Sequence, residues 1–508
     1  MNVDYVIVQA GGEGRRLRPF TRNMPKALVP VNNLPIIFHL FRKYPDKKFV
    51  IIGDYKCDVL ERYMEIFADV EYISIKAKGK GNAAGLRQAL SCIPSGESFA
   101  LTWTDLILGD GFSIDDLPHG NYIGISETFQ CSWSCVDGVF AKKNVTGHGV
   151  AGFFLFEDKA VLRDIPESGS FMTWLSAQNI ALNELIMCDT AEVGTPDALK
   201  NISNTEARCR PYNKMTFGDD TVVKEALTND AQKLLQREIE WYEKVSDFPA
   251  IAIPKIISTA PLTMERIHGD NICLTPIDDA RKPHVIKKMV DALRALHEIE
   301  KCPPNAFDMA KDYFQKTLKR VRQIAPTIPF SNLPNIKING REMKNPLLHL
   351  NIFRDMTQAA QRTAQSFGII HGDCTFSNTL IDADENIFMI DARGYFGNTK
   401  LLGDVDYDWA KMYYSIVGAF DQFNIRHFEL TIDEDEVNFE IARSGWESCE
   451  RYFFELISPC CVPRIKFIHA IVWLSLASHC WEDYDSMCLA FYNGVRLWND
   501  VLDEGELQ

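Results

Sequence analysis

From residue 4 to about residue 200, short and nearly continuous apolar runs alternate with runs of helical spacing. Val6-Ile7-Val8, Phe49-Val50-Ile51-Ile52 and Phe99-Ala100-Leu101-Thr102 predict strands buried on both faces, as in a sheet with helices on each side. Ile36 to Tyr44 and Val59 to Phe67 place apolar residues every three or four positions, which predicts helices between those strands. The alternation predicts an α/β doubly wound domain over residues 1–205. A polar, turn-rich stretch (Asn201 to Thr205, then Arg210-Pro211-Tyr212) marks its end.

The pattern then changes. A hairpin is predicted around Thr221-Val222-Val223-Lys224, a helix from Asp230 to Val245 and a strand over Ala252 to Ile257. Long helical patterns dominate from about residue 270, broken by strand-like pieces flanking Asp373 and Asp391. This predicts an α+β, two-lobed domain over 206–508, with a small lobe at 206–268 and a helical lobe at 269–508. No internal repeat is present.

Composition narrows the partners. A net charge of -15 opposes binding to a nucleic-acid backbone. The longest apolar run, around Ala470 to Ala477, is far short of the ~20 residues a membrane span needs and reads as a buried helix. Fourteen cysteines lack the paired C-x2-C spacing of a metal site: Cys131 and Cys135 are four apart, and Cys460 and Cys461 are adjacent. With a strand already at Tyr5 to Val8 in place of a signal peptide, the expectation is reduced thiols in a cytoplasmic protein.

The first chemistry-bearing segment follows the first strand directly. Ala10-Gly11-Gly12-Glu13-Gly14 offers backbone N–H groups to phosphate oxygens, with a helix N-terminus expected behind it. Arg15, Arg16, Arg18 and Lys26 crowd cations beside that loop. With Pro25-Lys26-Ala27-Leu28-Val29-Pro30, the segment resembles the sugar-phosphate and choline-phosphate nucleotidyltransferases. The resemblance implies that Arg16 and Lys26 hold a triphosphate and that Asp105 and Glu192 carry Mg2+. Glu192 stands where the family usually has Asp. The resemblance also implies base recognition by Gly79 to Leu86, including Gly81, and contact of Lys142 or Lys143 with the acceptor's phosphate. The chemistry agrees. A phosphate dianion needs no general base, but its approach to a triphosphate requires cations and a metal.

The second segment is His371-Gly372-Asp373-Cys374-Thr375-Phe376-Ser377-Asn378, with Asp391 eighteen residues after Asp373. It resembles the aminoglycoside phosphotransferase and choline kinase group, and a small mixed lobe before a helical one is the order of a two-lobed kinase. The resemblance implies that Asp373 takes or orients the acceptor's hydroxyl proton while Asn378 and Asp391 hold Mg2+ on ATP. Lys224 is the expected partner of the α/β-phosphates, oriented by Glu238 or Glu240. Met264-Glu265-Arg266-Ile267 is the expected inter-lobe hinge that reaches the adenine. A second His-Gly-Asp at 268–270 has Thr275 where the motif has Asn and reads as a turn after that hinge. Choline kinases commonly place an acidic or aromatic residue after the Mg2+ aspartate. This chain has Ala392-Arg393, with Asp404 or Asp408 as the expected partner of Arg393. The downstream Gly403 to Lys411 segment is expected to brace the catalytic loop.

The two signatures together imply a bifunctional enzyme. One domain phosphorylates a sugar or amino alcohol with ATP. The other couples the phosphate to a second nucleoside triphosphate, CTP favoured, for surface polysaccharide or lipid decoration. One alternative is a choline kinase and cytidylyltransferase making CDP-choline. Others are a chain with only one active domain, and a nucleotide-binding sensor or scaffold. The oligomeric state is not encoded in any motif.

Overall fold

The computed structural model describes residues 2–115, 117–202, 213–249, 251–458 and 461–505. The chain divides into two compact units, residues 1–205 with 482–485, and 206–481 with 486–508. Residues 203–212, which hold most of the polar stretch read as the boundary, lie outside the described residues, as does Cys460.

The first unit is built on one mixed sheet. Tyr72–Lys76, Lys48–Gly53, Tyr5–Gln9 and Phe99–Trp103 lie side by side in that order and run parallel. Tyr5–Gln9 is central, with Val6 opposite Phe49 on one side and Ala100 on the other. Gly149–Phe156 continues the sheet antiparallel and is buried at every position. The chain first winds one way from Tyr5–Gln9 and then crosses to its other side. The crevice at the carboxyl ends of Tyr5–Gln9 and Phe99–Trp103 is therefore the topological switch point, where open α/β sheets bind ligands. Helices Ile36–Lys43 and Cys57–Phe67 fall on the predicted segments.

The second unit opens with an antiparallel sheet ordered Asn213–Phe217, Thr221–Ala226, Leu262–Glu265, Ile256–Thr259. Helix Asn229–Val245 follows the first hairpin, and the Thr228 hydroxyl caps it by accepting from Ala231 N. The strand predicted at 252–257 begins only at Ile256. Pro254 has no N–H for a ladder, and the Ala252 carbonyl is used instead by Met389 N at 2.7 Å. The predicted turn at 268–270 is also corrected. Gly269–Asn271 is a strand paired with Thr379–Asp382, and a Cβ on Gly269 would lie 2.3 Å from the Ile381 carbonyl oxygen.

Two hairpins in the helical region are absent from the sequence reading, Asn335–Ile338 with Arg341–Lys344 and Phe428–Ile432 with Val437–Ile441. The first turns on Asn339-Gly340, both at positive φ (48° and 78°), the signature of a tight two-residue hairpin loop. Val462–Leu476, which contains most of the longest apolar run, is a buried helix. Among the described residues no helix is long and apolar enough to cross a membrane, and every cysteine is a free thiol.

Candidate active sites

In the first unit the glycine-rich loop leaves Tyr5–Gln9 at the switch point. Gly14 takes a left-handed φ of 62°, and a Cβ there would lie 2.9 Å from Thr21 Cγ2. The loop feeds only a 3-10 turn, Arg15–Leu17, in place of the expected helix N-terminus. Pro19 lies just beyond it, and a three-residue turn carries no useful macrodipole. An anion at this loop would therefore depend on backbone N–H groups and side chains, not on a helix dipole.

The cations divide their work. Arg15 and Arg18 both bind Glu13 at 2.6 Å. Lys26, almost fully buried, binds Asp105 Oδ2 at 2.6 Å, and the exposed Arg16 reaches Glu192 at 3.7 Å. Asp105 and Glu192 meet because Leu106–Ile107 pairs antiparallel with Ala191–Glu192, and Val193 N donates to the Asp105 carbonyl at 2.7 Å. Burial pushes the Glu192 carboxyl above its ordinary range and neighbouring Asp105 adds to this, while Lys26 and Arg16 oppose it. Asp105 Oδ1 is buried without a hydrogen-bond partner. Two adjoining carboxylates with an unsatisfied oxygen are a donor set for a hard cation, so the residues fit Mg2+.

The Gly79 to Leu86 segment runs into helix Asn82–Ala89, whose N-cap is Gly81. Gly81 sits at φ 82°, with Lys80 O accepting from Gly169 N (2.7 Å) and Asn82 Oδ1 accepting from Phe171 N (2.8 Å). Lys142 and Lys143 are exposed after the strand Val139–Ala141, and the structure joins neither to the Lys26–Asp105 pair.

In the second unit, Lys224 projects from Thr221–Ala226 onto Glu238 of the following helix, 2.8 Å away, and onto Asp391. Glu240 instead pairs with Lys400. Burial opposes the Lys224 charge, but the carboxylates of Asp391 and Glu238 outweigh it and raise its pKa. Glu238 is pushed up to about 7 by burial, although Lys224 pulls the other way. Asp391 adopts φ 60°, a conformation rare outside glycine and tolerated by Asp. Glu265 ends Leu262–Glu265, where its carboxylate accepts from Lys255 N at 2.8 Å.

The His371 loop is fastened from below. Asp408 accepts from His371 N (2.9 Å) and Gly372 N (2.7 Å), and its Oδ2 lies 3.0 Å from His297 Nε2. Asp373 Oδ2 accepts from Asn378 Nδ2 at 2.9 Å, and Asp373 Oδ1 from Lys411 at 2.8 Å. Lys411 is part of the quoted 403–411 segment, but no motif marks it as a partner of Asp373. The Arg393 expectation is corrected. Its partner is Asp312 at 3.1 Å, because Asp404 is taken by Arg464 and Asp408 by the loop N–H groups.

The first unit thus holds a switch-point crevice with paired carboxylates, and the second a buried Lys224–Glu238 pair against Asp391. A nucleotidyl transferase family model matches residues 5–120, and a phosphotransferase enzyme family model matches residues 213–435. The chain carries an N-terminal nucleotidyl transferase domain and a C-terminal phosphotransferase domain, both enzymes by family. Among curated relatives, the bifunctional protein GlmU of Methanococcus maripaludis is 30% identical over 125 residues, 24% of this chain and 29% of that protein. The D-glycero-alpha-D-manno-heptose 1-phosphate guanylyltransferase of Campylobacter jejuni is 33% identical over 75 residues, 14% of this chain and 32% of that protein. The chain thus spans less than a third of the length of these relatives. The inositol-1-phosphate CTP transferase from T. maritima has 18% identity and a TM-score of 0.33, covering 39% of this chain and 91% of that one.

Proposed function

We propose that the chain is a bifunctional enzyme that phosphorylates a small hydroxyl-bearing metabolite, a sugar or an amino alcohol, and then activates it. The observation that carries this reading is the closure of a full set of groups within each unit: Arg16, Lys26, Asp105 and Glu192 in one, Lys224, Glu238, Asp373, Asn378 and Asp391 in the other. In the phosphotransferase unit, Asp373 takes the proton of the acceptor hydroxyl, whose oxygen attacks the γ-phosphorus of ATP, and ADP leaves. Lys411 and Asn378 hold the two oxygens of Asp373 in place. Lys224 binds the α/β-phosphates, and Glu265 lies in the segment that reaches the adenine.

In the nucleotidyltransferase unit, a phosphate oxygen of the product attacks the α-phosphorus of a second triphosphate, CTP favoured, and pyrophosphate leaves. Ala10, Gly11, Gly12, Gly14 and Arg15 border the triphosphate, Arg16 and Lys26 neutralise it, and Gly81 shapes the base loop. Lys142 or Lys143 meets the acceptor phosphate. Asp105 with Glu192, and Asn378 with Asp391, would hold Mg2+, which offsets charge on the phosphates during transfer. Relatives named as glucose-1-phosphate, mannose-1-phosphate and heptose 1-phosphate nucleotidyltransferases support a sugar phosphate as the coupled species. The NDP-linked product would serve cytoplasmic steps of surface polysaccharide or lipid decoration.

The test is product formation followed by mass. The protein is incubated with ATP, each NTP in turn, and a panel of sugars and amino alcohols with their phosphates. Asp373→Asn is expected to abolish phosphorylation while coupling of a supplied phosphate continues, and Asp105→Ala to do the reverse. No NDP-linked product from any supplied phosphate sinks the coupling half.

A further inference from the structure

Lys411 touches the proposed base, and no motif announces it. Its Nζ lies 2.8 Å from Asp373 Oδ1, and its side chain is only 14% exposed. Among the described residues Asp373 is its one ion-pair partner. The Tyr414 ring centroid lies 5.0 Å from the same Nζ.

The helix that carries Lys411 fixes its position. Val405–Ile416 sends Asp408 to the backbone N–H groups of His371 (2.9 Å) and Gly372 (2.7 Å). Three residues later it sends Lys411 to Asp373. Side chains at that spacing share a helix face, so one element grips the loop at two points. Asn378 Nδ2 meets the other oxygen, Asp373 Oδ2, at 2.9 Å, yet the Asp373 side chain is still 40% exposed. The carboxylate is therefore held at both oxygens and open to an acceptor.

The charge on Lys411 depends on that carboxylate. Burial opposes the charge, Asp373 restores it, and Arg393 works against it from nearby. Phosphoryl transfer removes this counter-charge. As the acceptor O–H gives its proton to Asp373, the bond from its oxygen to Pγ forms. The bond from Pγ to the β,γ-bridging oxygen breaks, and its electron pair leaves on ADP. Asp373 becomes a neutral acid, and an ammonium buried beside it without an anion is costly. The group arriving on the acceptor oxygen at that moment is itself anionic. A hydroxyl bound to Oδ1 at about 2.7 Å lies no more than about 5.5 Å from the Lys411 Nζ. An ammonium has three donors on a flexible stem, so it can keep one on Asp373 and offer another to a phosphoryl oxygen.

We propose that Lys411 is a further catalytic residue of the phosphotransferase unit. Its ammonium passes from Asp373 to the phosphoryl group in transfer and stabilises the charge there as Asp373 takes the proton. This rests on the phosphotransferase reading above and adds a residue to it.

The test is a double-mutant cycle in the full chain with ATP and Mg2+. ADP release is followed with the sugar or amino alcohol that turns over best, or with water as acceptor where none does. Lys411→Met keeps the bulk of the side chain and loses the charge. It is expected to lower kcat by about 100-fold or more while KM for ATP stays within about threefold. Lys411→Arg, which keeps the charge, should recover part of the rate. In an Asp373→Asn background, a lysine that only orients Asp373 has no carboxylate left to orient, so Lys411→Met would change nothing further. A lysine that meets the phosphoryl group still matters there, and its loss should lower the residual rate by about 10-fold or more. Binding of ADP with Mg2+ and aluminium fluoride, a stand-in for the phosphoryl group in transfer, needs no turnover. Lys411→Met should weaken it by about 10-fold or more while ADP with Mg2+ alone binds as in the parent. A Lys411→Met protein with parental kcat overturns the inference and leaves the kinase standing. So does a loss that vanishes in the Asp373→Asn background with parental fluoroaluminate binding. A parent protein that neither releases ADP nor is stabilised by ATP with Mg2+ overturns the phosphotransferase reading and the inference with it.

Discussion

Asp312 carries two cations, and only one of them can lose its charge. Although burial opposes it, Arg393 and Lys316 hold the Asp312 carboxyl at about 2. Arg393 stays charged at any accessible pH, whereas Lys316 is already pushed down to about 7, facing Arg393, Asp312 and Arg320. Removing the carboxylate as Asp312→Asn leaves Arg393 buried and unpaired, which costs about 3–5 kcal/mol. Lys316 would then drop further below about 7 while its unfolded value stays near 10.5. Between those values the unfolded chain holds a proton that the folded one lacks, so stability rises with pH across the window. The variant enters that window at lower pH than the parent. Urea titrations at pH 6 and pH 8 should show a larger deficit at pH 6, and an equal deficit at both would contradict the shared-carboxylate account. None of this was legible in the sequence. The acids nearest to Arg393 in the downstream motif, Asp404 and Asp408, have other partners, and Asp312 sits in an ordinary-looking run of helical charges.

At the scale of elements, contiguous strings were legible and pairings between distant segments were less so. The glycine-rich loop and the His371 to Asn378 segment announce themselves because their donors are neighbours in the chain, and the strands before them are continuous apolar runs. The 3-10 turn at Arg15–Leu17 was not foreseen, since Arg-Arg-Leu-Arg is compatible with a helix until the tertiary setting cuts it short. The Asn339-Gly340 hairpin was readable in principle, but the surrounding helical periodicity hid it. The two glycine-rich segments of the first unit now separate by what surrounds them. A Cβ on Gly81 would lie 2.2 Å from the Gly169 carbonyl oxygen at φ 82°, whereas one on Gly12 would meet nothing within 4 Å. Gly81→Ala should therefore displace the 79–86 segment at a cost of about 1–3 kcal/mol and raise KM for the nucleotide. Gly12→Ala should leave the melting temperature within error of the parent. If Gly12 borders the triphosphate, the added methyl lowers nucleotide affinity without unfolding anything. A Gly12→Ala protein with unchanged nucleotide affinity would place the triphosphate elsewhere.

At the scale of the whole molecule, each proposed set of reacting groups lies within a single compact unit. Arg16, Lys26, Asp105 and Glu192 belong to residues 1–205, while Lys224, Glu238, Asp373, Asn378 and Asp391 belong to 206–481. Nothing in either proposed step needs a side chain from the other unit, so the intermediate is an ordinary phosphate ester that can leave one site and enter another. The consequence is complementation. Asp373→Asn cannot make the ester and Asp105→Ala cannot couple it, so neither variant alone should convert acceptor, ATP and NTP to the NDP-linked product. Mixed in equal amounts, they should restore it, with a lag that shortens as either protein is increased, because free ester must first accumulate. Pre-incubation with the supplied ester should abolish the lag for the mixture and for Asp373→Asn alone. A mixture that stays silent while each variant retains its own half-reaction would mean that the ester does not pass through solution, and the two units would then have to be treated as one site.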